Sequence, residues 1–311
     1  MNRQSVAAPR PLPLAGLAVS AALRNADGAR LRWPSGSGRG STRGAMTSDR
    51  PRETGENPGG RRFWERLGAE FPDLRDAPST ASYRRDEQAL LRRYLPALDG
   101  CRLLKTDLWD EAKNTRILHW AASQGAIAFG VDISRPIVER AIGESGGAAL
   151  HAAVADTRAL PFADGSFDAV YSMGTVEHFA ETDAAVREIF RVLRPGGRAI
   201  VGVPNRHDPF LRPLLVAALR SVGLYAYGYE KSYSRRDLRR LLEQAGFRVV
   251  AESGVLFMPG GLRMLDLACH TWWPRLAWAP AVAVHAFAAV TSAMPALRRH
   301  GYLLASVGER P

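Results

Sequence analysis

The sequence predicts an α/β protein built on a doubly wound, mostly parallel sheet. Short apolar runs alternate with helix-length segments between residues 101 and 257, an alternation typical of βαβ units. Two of these runs, 126–134 and 151–161, carry the acids Asp132 and Asp156 where a strand should end. Because ligands bind at the carboxyl ends of the strands in such sheets, we expect both acids at a ligand site.

The chemistry of the two acids favours a nucleoside-containing cofactor. A carboxylate after the second strand can accept hydrogen bonds from both hydroxyls of a ribose, which is the use predicted for Asp132. Asp156, one strand later, could accept a hydrogen bond from an exocyclic amine of the base. Either acid alone could equally be a strand-end or helix-capping residue. The two together, followed by the turn 160–168, favour the cofactor.

Five motifs follow one another in a recognisable order. They are Gly130–Ser134, Ala155–Phe162, Asp164–Val170, Glu177–Phe179 and Glu188–Gly197. This order resembles class I S-adenosylmethionine-dependent methyltransferases, over about residues 84–258 and the last ten residues. The resemblance implies a Rossmann-like sheet of seven strands, the last of them antiparallel, with helical insertions. It also implies S-adenosyl-L-methionine as cofactor and methyl transfer to an acceptor. The cofactor-binding residues predicted at the ends of strands two to four are Asp132, Ile133, Asp156, Thr157, Met173 and Gly174.

The loop after the first strand departs from the pattern of that family. The family has a glycine-rich turn there, whereas this chain has no glycine between Gly100 and Gly125. Four polar residues are candidates for the amino-acid end of the cofactor: Lys105 or Thr106 for its carboxylate, and Asp107 or Glu111 for its ammonium group. The alternative is a degenerate pocket in a non-catalytic binding domain. The intact motifs of the second and third strands favour an active enzyme.

Residues after the fourth and fifth strands are the candidates for the acceptor side. His178 is the predicted catalytic residue, since an imidazole with an ordinary pKa of about 6.5 suits a general base. It could instead only line the site, because positioning alone supplies much of the rate of a methyl transfer. Asn205, His207 and Tyr229 are the predicted substrate-binding residues, with turn formation and packing as the simpler alternatives.

Composition limits the remaining function classes. The net charge of +11 would suit a nucleic-acid partner, but residues 1–45 contain seven Arg and one Asp, so +6 lies in that segment. We therefore expect no nucleic acid as partner. The two cysteines, Cys101 and Cys269, form neither a metal-binding spacing nor a disulfide framework, so we predict no metal site and a cytoplasmic location.

The chain divides into five predicted parts. These are a disordered tail rich in Arg, Gly, Ser and Pro at 1–60, leading helices at 61–100, a methyltransferase core at 101–257, an apolar helical insertion at 258–299 and the final core strand at 300–311. Nothing before Met46 resembles the family, so Met46 is a candidate for the true start of the protein.

The insertion 258–299 is unusually apolar. Residues 276–297 contain no charged side chain, which reaches the length of a membrane span of about 20 residues. A simple span is rejected, because the strands on both sides must pair in one sheet and Pro280 interrupts the segment. A lid over an apolar acceptor, a homodimer surface and peripheral membrane contact remain open.

These observations together predict an S-adenosylmethionine-dependent methyltransferase acting on a small-molecule or lipid-like acceptor. The alternative from another class is a non-catalytic domain with the same fold. An RNA methyltransferase is a third hypothesis, disfavoured because no combined aromatic and basic platform for single strands is evident.

Overall fold

The computed structural model describes residues 60–95, 97–145 and 149–311. The predicted tail 1–60, apart from residue 60, and the candidate start at Met46 lie outside the described residues. The described part folds around one sheet whose strands are β1 (Arg102–Lys105), β2 (Ile127–Asp132), β3 (Leu150–Val154), β4 (Phe167–Met173), β5 (Leu193–Pro204), β6 (Arg248–Val255) and β7 (Leu303–Glu309).

Helices precede, connect and cover these strands. They are α1 (Arg61–Glu70), α2 (Pro78–Tyr94), α3 (Trp109–Lys113), α4 (Ile117–Ser123), α5 (Arg135–Gly143), α6 (Thr182–Val192), α7 (Arg212–Ser221), α8 (Arg235–Gln244), α9 (Gly260–Trp272) and α10 (Trp278–Ala293). Helix α8 begins with Ser234 at its N-cap, which forms a reciprocal capping box with Asp237.

The strand order is β3-β2-β1-β4-β5-β7-β6. Strands β1 to β5 pair in parallel, and β7 runs antiparallel to both β5 and β6. The predicted doubly wound sheet with an antiparallel last strand is therefore confirmed. The order reverses between β1 and β4, and in such sheets the crevice at the reversal is where ligands bind.

Alternation along the strands builds a core on each face of the sheet. Leu103 of β1 packs in one cluster, with side chains of α2, α4 and α5, and the next residue, Leu104, packs in the other with α6 and α8. Both leucines are fully buried. A sheet covered on both faces holds its strand ends rigidly, and those ends carry the predicted site.

The insertion between β6 and β7 leaves and rejoins the sheet at one point. Leu256 has a left-handed backbone with φ of 59°. Its N–H donates to Asp86 Oδ2 at 2.9 Å, and its carbonyl oxygen accepts from the N–H of Tyr302, also at 2.9 Å. Asp86 also accepts from Arg298 at 2.7 Å, so α2 is bonded to both ends of the insertion.

Helices α9 and α10 form most of this insertion. In the part of the chain that the structure describes, no helix combines the length and the apolar character needed to cross a membrane.

Close backbone contact at the base of the insertion predicts a glycine-specific position. A Cβ at residue 254 would lie 2.3 Å from the carbonyl oxygen of Arg298 and 2.6 Å from that of Leu303. We expect Gly254→Ala to lower the free energy of unfolding by about 1–3 kcal/mol, because backbone atoms must move. Gly261→Ala, in α9 with nothing within 4 Å of its Cβ, should be neutral or slightly stabilising. Urea unfolding of both variants checks this, and equal effects would contradict it.

Candidate functional site

A cavity of about 200 Å³ lies at the carboxyl ends of β1 to β4. Nine predicted site residues line it: Thr106, Asp107, Asp132, Ile133, Asp156, Thr157, Met173, Gly174 and His178. Further lining residues come from the helices, among them Tyr83 of α2, Arg212 of α7 and Arg263 of α9. The fold thus brings together residues that are up to 239 positions apart in the sequence, from Trp64 to Leu303.

Lys105, one of the candidates for the cofactor carboxylate, is enclosed and does not line the cavity. Its Nζ lies 2.8 Å from Asp107 Oδ1 and 3.4 Å from both Asp110 Oδ2 and Glu111 Oε2. Burial opposes its charge, but the three carboxylates raise the pKa of Lys105 well above its ordinary value. The lysine is therefore fully engaged as the counter-ion of the loop acids.

Glu111 is also turned into the protein rather than toward the cavity. Its side chain is fully buried, and Oε1 accepts from the N–H of Leu118 at 2.6 Å. Burial raises the pKa of Glu111 to about 7, against the opposing influence of Lys105. Its position supports the start of α4, which places it behind the site.

The glycine-free loop is held against β2 by contacts of Leu108. The N–H of Leu108 donates to Asp132 Oδ2 at 2.9 Å. Its side chain occupies the space in front of Gly130, where a Cβ would lie 2.3 Å from Leu108 Cδ2. The loop is further tied to β3, because Thr157 Oγ1 donates to the carbonyl of Thr106 at 2.9 Å. Hydrogen bonds and one ion cluster here replace a glycine-rich turn.

Asp132 keeps acceptor capacity toward the cavity. Its two oxygens accept from the backbone N–H groups of Leu108 and Ser134 at 2.9 and 2.8 Å. An ionised carboxylate has about four acceptor positions, so one on each oxygen stays available. Burial raises the pKa of Asp132 to about 7, although the two backbone donors favour its charged form.

Asp156 is a fixed anion beside it. Arg158 forms a bidentate ion pair with Asp156, with Nη2 2.7 Å from Oδ2. Partial burial would raise the pKa of Asp156, but the hydrogen bonds and charge of Arg158 outweigh it and lower the pKa. The guanidinium of Arg158 in turn lies 4.9 Å from the ring centre of Phe179. Asp156 therefore presents a stable negative charge at the end of β3.

His178 is held as a neutral imidazole with one free nitrogen. Its Nδ1 is 2.7 Å from the carbonyl oxygen of Tyr229, so Nδ1 carries the proton and Nε2 the lone pair. Burial lowers the pKa of His178 below its ordinary value. The ring of Trp64 packs edge-on against it at 4.9 Å. The geometry suits a proton acceptor at Nε2.

The three predicted substrate-binding side chains do not line this cavity. Tyr229 contributes its carbonyl to His178, while its side chain is exposed. Asn205 donates to the carbonyl of Gly301 and accepts from the N–H of His207, which places both residues in a turn that joins β5 to the base of the insertion. Two tyrosines that precede Tyr229 in the sequence, Tyr225 and Tyr227, do line the cavity.

Glu177 lies next to His178 in the cavity but was not among the site residues predicted from the sequence. It is 2% exposed and lines the cavity. Its Oε1 lies 4.0 Å from His178 Nε2, and its Oε2 has no hydrogen-bond partner among the described residues. Burial, reinforced by the charge of Glu230, raises the pKa of Glu177 well above its ordinary value. Burial therefore favours the protonated form of Glu177 over its charged form.

A buried ion pair closes the same end of the cavity. Arg212 Nη1 and Nη2 lie 2.8 and 3.0 Å from the two carboxylate oxygens of Glu230. The guanidinium also lies 4.3 Å from the ring centre of Tyr302, and Tyr225 donates its hydroxyl to Glu230. No sequence pattern indicated this pair, because its partners come from α7 and a loop with no regular spacing.

Arg263 differs from the other cations of the cavity. Its only described contact is with the face of Tyr83, at 5.2 Å from the ring centre, and its Nη1 is buried without a hydrogen-bond partner in the described ranges. Arg212 by contrast is paired, and Lys105 has three carboxylates. Arg263 therefore offers an unsatisfied donor to an anionic group in the cavity. Within the same ranges no group of three or more acid, His or Cys side chains could hold a metal ion.

Comparisons with known proteins agree with this geometry. Residues 112–201 match the model of the methyltransferase domain family. O-methyltransferase cnsE of Penicillium expansum is 34% identical over 127 residues, which is 39% of this chain and 44% of that protein. Demethylmenaquinone methyltransferase of Thermus thermophilus is 40% identical over 79 residues, 25% of this chain and 36% of the relative. The chain thus spans less than half the length of either relative.

A solved structure extends the likeness to the whole fold. A SAM-dependent methyltransferase from Thermotoga maritima superposes with a TM-score of 0.51 at 16% identity, over 80% of this chain and 99% of that one. Residues 112–201 thus match a methyltransferase domain, and the sheet has the fold of a solved SAM-dependent methyltransferase.

The cavity has the polar groups that S-adenosylmethionine requires. Five of its lining residues carry a buried polar atom with no partner among the described residues, and such atoms are costly unless a ligand or water satisfies them. They are Thr106 Oγ1, Ser134 Oγ, Glu177 Oε2, Arg212 Nε and Arg263 Nη1. Carboxylates, hydroxyls and one unpaired guanidinium match the ribose, amine and amino-acid groups of the cofactor.

The raised pKa of Glu177 predicts a pH-dependent stability difference. The folded chain keeps this proton where the unfolded chain, with an ordinary pKa near 4.3, has lost it. The contribution of the Glu177 carboxyl group to the free energy of unfolding is complete below about pH 4. It is lost as the pH rises toward the raised pKa of the folded state. We therefore expect Glu177→Gln to gain stability relative to the native protein over that range, by up to about 1.4 kcal/mol per pH unit.

Urea unfolding from pH 4.5 to 8.5 measures this difference. Glu139→Gln, which removes an exposed carboxylate of α5, is the matched control and should leave the pH profile unchanged. A Glu177→Gln profile parallel to that of the native protein would show that Glu177 ionises normally.

Proposed function

We propose that this chain transfers the methyl group of S-adenosylmethionine to a small-molecule or lipid-like acceptor. The observation that carries the proposal is one continuous cavity with Asp132 and Asp156 among its lining residues and with His178, Glu177 and several aromatic rings beside them. A cofactor held at the strand ends would thus share an enclosed space with its acceptor. Such enclosure supplies the alignment on which methyl transfer depends.

The adenosine half of the cofactor is assigned to Asp132 and Asp156. Asp132 has one free acceptor position on each oxygen, which suits the two ribose hydroxyls. Asp156 lies one strand further along and stays ionised through Arg158, so it can accept from the adenine amine. Ile133 and Thr157, the residues that follow the two acids, line the same space.

The amino-acid half is assigned to Arg263 and Asp107. Lys105 is enclosed by three carboxylates, so the cation left for the cofactor carboxylate is Arg263, with its unpaired Nη1. Asp107 lines the cavity and is oriented by Lys105 and by Thr175, whose hydroxyl donates to Oδ2 at 2.7 Å. It is the candidate for the ammonium group. Helix α9 of the insertion then completes the cofactor site.

Bound S-adenosylmethionine supplies an activated methyl group on a sulfonium sulfur. The protein orients the acceptor in line with that group and excludes water. His178 Nε2 accepts the proton that the acceptor hydroxyl or amine loses, since its tautomer is fixed by Tyr229. Glu177 lines the cavity with an Oε2 that has no partner among the described residues, so it can form a hydrogen bond that holds the acceptor.

The acceptor class follows from the lining and from the relatives. Trp109, Tyr227 and Tyr302 line the cavity, and flat aromatic or apolar molecules pack well against such rings. The matched relatives include cnsE, a demethylmenaquinone methyltransferase and a ubiquinone biosynthesis O-methyltransferase of Sinorhizobium fredii. The quinones in the last two of these names support an apolar acceptor for this chain.

Titration of S-adenosylhomocysteine, the product of the reaction, into the full chain tests the cofactor assignment. We expect binding that Asp132→Asn weakens at least about tenfold, because a ribose hydroxyl loses a charged acceptor. Asp183→Asn, at an exposed position of α6, is the matched control. Calorimetry measures both. Absence of binding to a folded sample would favour the non-catalytic alternative.

A ligand pair tests the role of Arg263 separately. S-Adenosylhomocysteine carries the amino-acid carboxylate, whereas 5′-methylthioadenosine keeps the adenosine and thioether and lacks the carboxylate. We expect Arg263→Gln to weaken the binding of S-adenosylhomocysteine by about 10- to 100-fold. The binding of 5′-methylthioadenosine should weaken by less than about threefold, because this ligand has no carboxylate. Arg275→Gln, an exposed arginine of the same insertion, should change neither affinity.

The two ligands also distinguish a wrong role for Arg263 from a wrong proposed function. Equal weakening of both by Arg263→Gln would mean that the residue acts on the shape of the site rather than on the carboxylate. Weak binding of both ligands to the native protein would contradict the proposed function itself.

A further inference from the structure

The exposed apolar side chains of this protein are concentrated in two helical segments. Nine of the thirteen large apolar residues that are exposed in the described ranges belong to residues 211–222 and 265–294; the other four are Ile127, Ile142, Tyr229 and Val250. The nine are Leu211, Leu214, Val222, Leu265, Leu276, Trp278, Val282, Val290 and Met294. We call the surface of residues 210–222 and 258–299 the helical cap.

Helix α10 is the centre of the helical cap. It contains no charged residue, and only Pro280, Val284 and Thr291 are buried. Trp278 is 70% exposed and Val282 64%. A helix that is apolar on all sides is normally enclosed by protein or lipid. At 16 residues, or roughly 24 Å, α10 is too short to cross a bilayer and suits a position along its surface.

The exposed charged side chains of the helical cap are all positive. Its single acid, Asp266, is fully buried and accepts from the N–H of Ser79 at 2.8 Å. Arg220, Arg275 and Arg299 are exposed around the apolar side chains. The surface therefore combines exposed Trp and aliphatic groups with arginines and lacks an exposed acid, which is the composition that binds anionic lipid surfaces.

The same charge argues against a second copy of the chain as the partner. A two-fold interface places a patch against itself, so the exposed arginines would face one another without an acid between them. An anionic lipid surface supplies the opposite charge at the rim and accepts the apolar side chains at the centre. Trp272, Trp273 and Trp278 are the residue type that prefers the boundary between headgroups and acyl chains.

We propose that the helical cap docks on an anionic lipid surface with α10 lying along the interface. The proposal is independent of the proposed methyl transfer, since it depends only on exposure and charge. Helix α10 packs on α9, the helix that carries Arg263 into the cavity, so docking brings the site next to the membrane. The site would then lie next to the membrane, where an apolar acceptor is concentrated.

Co-sedimentation of the full chain with vesicles tests the proposal. We expect binding to vesicles of phosphatidylcholine with phosphatidylglycerol, and much weaker binding to phosphatidylcholine alone. Trp278→Gln with Val282→Gln should weaken binding at least about tenfold, because two large side chains no longer enter the interface. Arg275→Gln with Arg299→Gln should weaken it on anionic vesicles by about fivefold for each arginine.

Ile142→Gln with Val250→Gln is the matched control, since both residues are exposed and apolar but lie on α5 and β6 outside the helical cap. It should bind like the native protein. Three results would overturn the proposal: no binding to anionic vesicles, binding unchanged by the Trp278 and Val282 changes, or a dimer in sedimentation velocity that those changes dissociate. The second result would assign binding to another segment, and the third would assign the surface to a second copy.

Discussion

The site depends on one buried lysine. Lys105 at the end of β1 lies within 3.4 Å of carboxylate oxygens of Asp107, Asp110 and Glu111, so one buried cation offsets part of the charge of three acids. With the cluster in place the loop needs no glycine, because the N–H of Leu108 reaches Asp132 through a turn fixed by ion pairs. Ion pairs and hydrogen bonds thus shape this wall of the cavity, where the resemblance to methyltransferases implies a glycine-rich turn.

This replacement changes which residues are available to a ligand. Lys105 is fully paired with the carboxylates of its own loop. A cation that binds an anionic group in the cavity must therefore come from another part of the fold. Arg263, from the insertion between β6 and β7, lines the cavity with an Nη1 that has no partner among the described residues, which is why the proposed function assigns it to the cofactor carboxylate.

The features that could be predicted from the sequence are those that depend on neighbouring residues. They include the strand segments and the acids at the ends of β2 and β3. The order of the motifs then predicted the topology of the sheet. The pairing of Arg212 with Glu230, and the arrival of Arg263 at the cavity, depend on how helices pack across long separations, which no spacing encodes. Lys105 and Glu111 were predicted to bind the amino-acid end of the cofactor, but neither lines the cavity, because the direction of a side chain is a tertiary property.

The hydrogen bond between Tyr302 and Leu256 has a consequence for how this protein can diverge. It closes the insertion at its base, so residues 257–301 form a cassette whose two ends are already joined. The base of this segment has to stay as it is, because Gly254 of β6 packs against the carbonyl oxygen of Arg298 and Arg298 bonds to Asp86 of α2. Changes confined to the outer parts of α9 and α10 leave that base intact, so the outer surface can diverge in sequence while the sheet is kept.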